Sequence, residues 1–281
     1  MDHDDVRSSR RGAGDAALGG LDISVPVSAR IWNYWQGGKD YYQVDKRAGD
    51  EFAALYPGIT DMAVASGLFL GRAVTYLARD AGVRQFLDIG TGLPSNESTH
   101  EVAQRVAPVS RVVYVDNDPL VMCHARALLT GTTEDTTGYI DGDLNDPERI
   151  ISSARELLDF GRPVAIMLMG VLGHIGDPAA NDDAYARSLV SLLTDALPPG
   201  GYLVLRDATD TVAAHVAALR TYEKTGAAPY RLRTPAQIAA FFDGLEPVAP
   251  GIVPVQRWRP DEQSAELPDG INMWGGVAVV L

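Results

Sequence analysis

The regular alternation of short apolar runs with longer helical segments constrains the fold of this chain more than any other feature of its sequence. Five runs have the length and apolar character of buried strands, at residues 84–89, 111–116, 137–141, 163–170 and 201–207. Helical periodicity returns between them, at residues 96–107, 119–129, 147–158 and 182–197. Strands separated by helices in this way predict a parallel sheet with right-handed crossovers.

Both ends of the chain depart from this alternation. Residues 251–257 and 274–281 are strand-like and are joined by a polar loop, so they are most simply antiparallel neighbours. Residues 31–81 are mostly helical. We therefore expect an α/β fold: a Rossmann-like, mostly parallel sheet with an antiparallel last strand, helices on both faces and an N-terminal helical lid. The expected division is a disordered tail at 1–25, the lid at 26–82 and the ligand-binding domain at 83–281.

The charge balance of the chain argues against an anionic partner. Its 281 residues include 24 basic and 37 acidic side chains, a formal net charge of −13, and Lys and Arg form no block in its body. No apolar run reaches the roughly 18 residues that suggest a membrane span, and the N-terminal residues lack the apolar core of a signal peptide. The single cysteine, Cys123, excludes an internal disulfide. We expect a cytoplasmic protein that binds neither nucleic acid nor a membrane.

The sharpest local signal is the turn Asp88-Ile89-Gly90-Thr91-Gly92, which follows the first strand and precedes a helix. Glycines there allow a tight turn and a close approach of the backbone to a ligand. A nicotinamide dinucleotide would require an acidic ribose ligand about 20 residues further on. Here the acidic cluster Asp116-Asn117-Asp118 follows Gly90 by 26 residues, and Pro94 cannot donate a backbone hydrogen bond to pyrophosphate. The alternative is a tight strand-to-helix connection without a ligand.

The acidic residues that end the second and third strands suit a ligand with a ribose and a base but no phosphate. Asp116 can accept hydrogen bonds from both ribose hydroxyls. Alternatively it caps the next helix, although Asp118 fits that role better because Pro119 follows it. Within residues 141–147, a carboxylate can accept a hydrogen bond from an adenine amino group, and the alternative is a polar turn that caps a helix. A calcium loop is excluded, because Asp146 stands where that loop requires glycine.

Three segments together, FLDIGTGLPS, VVYVDNDPLV and YIDGDLNDP, resemble the first three motifs of class I S-adenosylmethionine-dependent methyltransferases. The chain is also similar to an actinobacterial family of uncharacterised methyltransferases that carry an N-terminal ARxxxYxxGGKD segment, here residues 29–40. The resemblance covers residues 26–281. It implies a seven-stranded sheet with a reversed last strand, S-adenosylmethionine as the cofactor, and transfer of its methyl group to an acceptor.

The resemblance also implies which residues contact each part of the cofactor. Asn117 departs from the apolar residue that many of these enzymes carry at its position, and Tyr41 stands where asparagine often follows the GGKD. The implied contacts are Gly90, Thr91, Gly92 and Leu93 for the methionine portion, Asp116 for the ribose, Asp143 and Leu144 for the adenine, and the carbonyls of Met169 and Gly170 for the methionine amino group; Asn117 and Asp118 are further expected cofactor-binding residues.

The segment from Tyr34 to Asp40 allows two interpretations. Gly37 and Gly38 could let the backbone fold over the ligand as part of the lid, so that Lys39 meets the methionine carboxylate. Alternatively, Gly37 is the left-handed cap of a Schellman-type helix end and Lys39 is solvated. The neighbouring residues Trp32 and Trp35 could line an acceptor pocket or form the buried face of a helix.

His174 is the candidate for a catalytic base, because it follows the fourth strand and ligands bind at the carboxyl ends of such strands; a structural role is the alternative. No Asn-Pro-Pro-aromatic motif follows that strand, which argues against methylation of adenine in nucleic acid. We therefore predict a methyltransferase that acts on a small-molecule acceptor without a metal ion. A non-catalytic S-adenosylmethionine-binding sensor or partner protein is the first alternative, and a nicotinamide-dependent oxidoreductase is the second.

Overall fold

A sheet of eight strands forms the centre of the structure, a computed structural model that describes residues 24–93, 98–123, 136–176 and 183–281. The order across the sheet is β3-β2-β1-β4-β5-β8-β6, and β7 also pairs with β8. Strands β1 to β5 are parallel, whereas β8 runs antiparallel to its neighbours. In chain order, β1 to β8 span Gln85–Ile89, Arg111–Asp116, Thr137–Asp141, Ala165–Met169, Tyr202–Ala208, Glu246–Pro247, Val253–Pro254 and Met273–Val279.

This architecture confirms the predicted fold class, with one difference in the strand count. The predicted pair of antiparallel C-terminal strands corresponds to β7 and β8. The additional strand is β6, which has only two residues and pairs with β8. A two-residue strand leaves no period-2 pattern in the sequence, so the expected seven strands become eight.

Helices pack on both faces of the sheet, as the alternating sequence pattern predicts. The predicted helices are present wherever the structure describes them, although parts of 96–107, 119–129 and 182–197 lie outside the described residues. The α-helices for which the structure gives both ends are α1 Ser28–Trp35, α2 Gln43–Leu55, α3 Ile59–Arg79, α4 Thr99–Val106, α5 Pro147–Ala154, α6 Ala184–Asp195, α7 Ala213–Tyr222, α8 Pro235–Ala239 and α9 Glu262–Ala265.

Helix α7 is not predicted by the sequence pattern, because its apolar and small residues are not confined to one face. It packs against α2, so tertiary contacts rather than an amphipathic stripe stabilise it. Among the described residues, no single helix is long and apolar enough to cross a membrane. Helices α2 and α3 meet that criterion only as a pair, and the chain bends by 105° between them.

The two faces of the sheet form two hydrophobic cores. One core joins α1, α2, α3, α4 and α7 to side chains such as Phe86 and Met167. The other joins α5, α6 and α8 to side chains such as Leu87 and Ile166. Neighbouring residues of β1 and β4 thus point to opposite cores, as period-2 strands require. Helices thus cover both faces of the sheet. A ligand is therefore expected at the carboxyl ends of the parallel strands, where open α/β sheets bind their ligands.

One buried carboxylate, that of Asp45, connects helices α1 and α2. Asp45 on α2 is inaccessible to solvent and accepts hydrogen bonds from the backbone N–H groups of Val27 at 2.9 Å and Tyr42 at 2.8 Å. Its Oδ2 also lies 2.7 Å from Nε of the buried Arg30 on α1. Asp45 therefore fixes the start of α1, the start of α2 and the contact between them.

We expect Asp45→Ala to lower the free energy of unfolding by about 3–5 kcal/mol, because it leaves the Arg30 cation buried without a counter-charge. Urea denaturation at neutral pH measures this change. Asp50→Ala on the same helix is the matched control, because Asp50 pairs with Lys46 at the surface and exposed ion pairs contribute little. Equal effects of the two substitutions would contradict the anchoring role of Asp45.

Candidate functional site

A cavity of about 600 Å³ lies between the carboxyl ends of the parallel strands and the N-terminal helices. Its volume falls within the range of about 300–1,000 Å³ that small-ligand sites occupy. The residues that the sequence predicts as cofactor contacts, together with His174, all line this cavity: Gly90, Thr91, Gly92, Leu93, Asp116, Asn117, Asp118, Asp143, Leu144, Met169, Gly170 and His174.

The two glycines of the first turn have different roles. Both have positive φ angles, +73° at Gly90 and +65° at Gly92, which favour glycine. A Cβ on Gly90 would lie 2.4 Å from Cβ of Val171, so the turn can pack against Val171 only with glycine at this position. A Cβ on Gly92 would meet no atom within 4 Å, so Gly92 leaves open space at the wall of the cavity.

Asp116 connects this turn to the end of β2. Its Oδ2 accepts a hydrogen bond from the Gly92 N–H at 2.8 Å, and its Oδ1 accepts one from the Asp118 N–H at 2.9 Å. Burial raises the pKa of the carboxyl. The capping role belongs to Asp118, whose Oδ1 accepts from the Leu120 N–H at 2.8 Å. Of these two residues, Asp118 is thus the helix cap that the sequence favours.

Asp143 lies two residues beyond the end of β3. Its Oδ1 accepts hydrogen bonds from the backbone and side-chain nitrogens of Asn145, at 2.9 and 2.8 Å. The backbone bond is the main reason that the pKa of Asp143 is lowered. Helix α5 is capped instead by Asp146, which accepts from the Arg149 N–H at 3.2 Å. Asp143 is therefore an ionised carboxylate at the cavity rather than a helix cap.

Helices α1 to α3 supply the wall opposite the strand ends, through residues that include Trp32, Trp35 and Met62. The GGKD segment does not contribute to it. Gly37 has φ +79° and donates its N–H to the Tyr34 carbonyl, while Gly38 donates to the Asn33 carbonyl. These are the two hydrogen bonds of a Schellman helix end.

In this structure the GGKD segment therefore has the helix-end geometry of the second interpretation. Lys39 and Asp40 are exposed, and none of Tyr34, Gly37, Gly38, Lys39 and Asp40 lines the cavity. Tyr34 donates its hydroxyl hydrogen to Asp50 at 2.6 Å instead. The physical reason is that the left-handed glycine ends α1 and turns the following residues towards solvent.

Comparison with known proteins shows to which family the chain belongs. The family model described as S-adenosyl methyltransferase matches residues 15–281. This chain belongs to that family. It is thus a methyltransferase that uses S-adenosylmethionine, as the three sequence motifs indicate. The family assignment favours neither the non-catalytic nor the nicotinamide-dependent alternative.

Solved structures agree with the assignment of this methyltransferase. A DUF574-family protein from Streptomyces avermitilis is 41% identical, with a TM-score of 0.84, and the match covers 92% of this chain and 99% of that one. A proposed methyltransferase from Thermobifida fusca is 37% identical, with a TM-score of 0.84 and coverage of 93% and 97%.

A more distant likeness supports the fold alone. The plantazolicin methyltransferase BpumL, solved with S-adenosylhomocysteine, is 10% identical with a TM-score of 0.51, and the match covers 95% of this chain and 99% of that one. No curated protein matches the chain.

Several residues of the methyltransferase cavity are not predicted from the sequence: Arg206 on β5, Tyr230 and His215 line it. Of these three, only Arg206 leaves a signal in the sequence, as a charged residue inside a largely apolar strand. Asp88, which the sequence places just before the first turn, is buried on β1. Burial raises its pKa to about 6, although the Thr99 hydroxyl donates to it at 2.6 Å.

His174 sits in the methyltransferase cavity with a defined orientation. Its Nδ1 lies 2.9 Å from the Pro229 carbonyl oxygen, and because a carbonyl only accepts, Nδ1 carries the hydrogen. The ring of Tyr230 meets the imidazole edge-on at 5.0 Å. Although solvent reaches His174, desolvation by the surrounding protein lowers the pKa of its imidazole, and the Pro229 carbonyl and the carboxylates of Asp207 and Asp116 act in the opposite direction. In the neutral side chain Nε2 therefore bears the lone pair.

Tyr230 is itself fixed by a buried charge network. Its hydroxyl donates to Oδ1 of Asp207, whose Oδ2 accepts from Arg233 at 2.8 Å. Arg233 Nε also donates to Asp183 at 2.9 Å. Asp207 and Arg233 are inaccessible to solvent, so the network holds the Tyr230 ring rigidly against His174.

We expect His174 to be neutral at pH 7.5, with its hydrogen on Nδ1, and to titrate below pH 6.5, because desolvation disfavours the imidazolium more than the Pro229 carbonyl and the nearby carboxylates favour it. Nitrogen chemical shifts of the ¹⁵N-histidine-labelled protein report both the tautomer and the pKa, and His174→Gln assigns the signal. A hydrogen on Nε2, or a pKa above 6.5, would contradict this geometry.

Proposed function

We propose that the enzyme methylates a small acceptor inside the cavity and that His174 receives the proton of the acceptor. The observation that supports this most strongly is that His174 and every predicted cofactor contact line the same cavity. A site of this volume, enclosed by strand ends on one side and helices on the other, suits a small molecule beside the cofactor.

The residues of the cavity fit the cofactor of the family. A carboxylate offers about four lone-pair sites, so Asp116 retains acceptor capacity for ribose hydroxyls beyond its two backbone hydrogen bonds. Gly92 leaves space in the wall of the cavity that a Cβ would partly fill. We therefore propose the contacts that the sequence predicts: Gly90, Thr91, Gly92 and Leu93 for the methionine portion, Asp116 for the ribose, Asp143 and Leu144 for the adenine, and Met169 and Gly170 for the amino group, with Asn117 and Asp118 as further cofactor-binding residues.

The chain supplies orientation and a proton acceptor for the reaction. S-adenosylmethionine, when bound, supplies an electrophilic methyl group on a sulfonium. The cavity walls orient the acceptor and limit the access of water. The Pro229 carbonyl keeps the hydrogen of His174 on Nδ1, so Nε2 can receive a proton from a hydroxyl or amine of the acceptor. Tyr230 and Asp207 act as positioning residues for this imidazole.

The proposal extends to the lid, the partners and the location of the enzyme. Residues 26–82 would act as a lid, because α1 to α3 contribute a wall of the cavity. An acceptor larger than the cavity would have to displace these helices, which favours small molecules. The net charge of −13 disfavours nucleic acid and anionic membranes. A chain with one cysteine suits the reducing cytoplasm.

The proposal predicts that the acceptor is found among small molecules. An actinobacterial cell extract is separated by ultrafiltration into a filtrate and retained macromolecules, and each fraction is incubated with the enzyme and methyl-labelled S-adenosylmethionine. We expect label to transfer only in the filtrate. We expect His174→Gln to slow the transfer by about 10²–10⁴-fold, because general base catalysis contributes on this scale.

His100→Gln is the matched control, because His100 bonds to Tyr114 and does not line the cavity. Label in the retained proteins or nucleic acids would refute a small acceptor. Binding of S-adenosylmethionine without label transfer in either fraction would support the non-catalytic alternative instead.

A further inference from the structure

Arg206 is a buried arginine in the wall of the cavity that the proposed reaction does not use. It stands on β5, in register with Met169 of β4, and only 5% of its surface is accessible. A Cβ on Gly170 would lie 2.3 Å from Nη1 of Arg206. The absence of a side chain at Gly170 therefore makes room for the guanidinium at the strand ends.

Arg206 differs from other buried arginines of the described chain in its lack of a polar partner. Arg30 pairs with Asp45, and Arg233 pairs with Asp183 and Asp207. Arg72 donates to two backbone carbonyls and to Ser264. Among the residues that the structure describes, none forms a hydrogen bond or an ion pair with the side chain of Arg206, and its buried Nε has no hydrogen-bond partner.

The guanidinium lies against an aromatic ring. It lies 4.9 Å from the centre of Trp32 on α1, a distance at which a cation is attracted to the ring face. Burial lowers the pKa of Arg206, while Tyr230, Asp207 and Asp88 favour its charged form, and neither carboxylate forms an ion pair with it. A buried cation with so little compensation is unfavourable unless an anion binds to it.

The position of Arg206 in the sheet separates it from the proposed ribose contact. The order β2-β1-β4-β5 puts three strand spacings, roughly 14 Å, between the strands of Asp116 and Arg206. The side chains that line the cavity on this side are largely apolar or aromatic, among them Phe52, Met62, Tyr222 and Met273. This region suits a flat apolar body with one anionic group.

We propose that Arg206 binds a carboxylate of the methyl acceptor, so that the substrate is a small aromatic carboxylic acid. This inference rests on the proposed function of the cavity. The planar guanidinium can hold a carboxylate through two parallel hydrogen bonds. A negative acceptor also offsets the positive charges that Arg206 and the sulfonium of the cofactor bring into one enclosed space.

Binding of carboxylate probes to the enzyme saturated with S-adenosylhomocysteine tests the proposal. The probes are benzoate, 2-naphthoate and indole-3-acetate, each compared by calorimetry with its neutral amide. We expect at least one acid to bind more tightly than its amide. We expect Arg206→Gln to weaken that acid about tenfold to a hundredfold, because hydrogen bonds between charged groups are lost, and to leave the amide unchanged.

Two variants control for charge and for folding. Arg162→Gln removes an exposed cation that precedes β4, at the opposite end of the strand from the cavity, and should change neither affinity. Arg206→Met should retain the thermal stability of the wild type, because it replaces an uncompensated buried cation with an apolar side chain. A large loss of stability in Arg206→Met would mean that the arginine is structural and would overturn the proposal.

Two further outcomes would overturn the proposal while leaving the proposed function intact. In the first, none of the three acids binds more tightly than its amide. In the second, Arg206→Gln weakens S-adenosylhomocysteine but not methylthioadenosine, which lacks the amino-acid portion; this would assign Arg206 to the carboxylate of the cofactor. Failure of the wild type to bind S-adenosylhomocysteine at all would refute the proposed function itself.

Discussion

The two backbone hydrogen bonds that Asp116 accepts hold the site together. The Gly92 N–H comes from the turn after β1 and the Asp118 N–H from the end of β2, so one carboxylate joins two neighbouring strand ends. The turn must stay open at Gly92 and tightly packed at Gly90 for this to occur. The ligand side of the cavity therefore depends on one carboxylate, that of Asp116, which accepts backbone hydrogen bonds and also lines the cavity.

Buried charged side chains in the described part of the chain are of two kinds: those that are paired within the protein and those that are not. Arg30 with Asp45, and Arg233 with Asp207, are compensated within the protein and fix elements relative to one another. Arg206 is buried without such a partner and faces the cavity. Because an uncompensated charge is costly in a protein interior, this contrast indicates where the enzyme is adapted to a ligand rather than to its own stability.

The sequence predicts the sheet well, and the residues that it proposes as cofactor contacts lie in one cavity, because both features depend on local patterns. Apolar runs mark β1 to β5, and glycines and carboxylates mark their ends. The GGKD segment shows where local sequence patterns are ambiguous, because Gly37 and Gly38 suit both a helix cap and a ligand-binding loop. The positions of Tyr230 and Arg206 depend on long-range packing against α1 and the region after β4, which no local pattern specifies.

Calorimetric titration with S-adenosylhomocysteine, with NAD in parallel, tests the central claim most directly. Asp116 and Asp141 end neighbouring strands in the same register, but only Asp116 lines the cavity. The account predicts that the wild type binds the adenosyl ligand and not NAD, that Asp116→Ala costs about 1.5–3 kcal/mol of binding free energy, and that Asp141→Ala changes nothing. Equal effects of the two substitutions, or no adenosyl binding by the folded wild type, would contradict it.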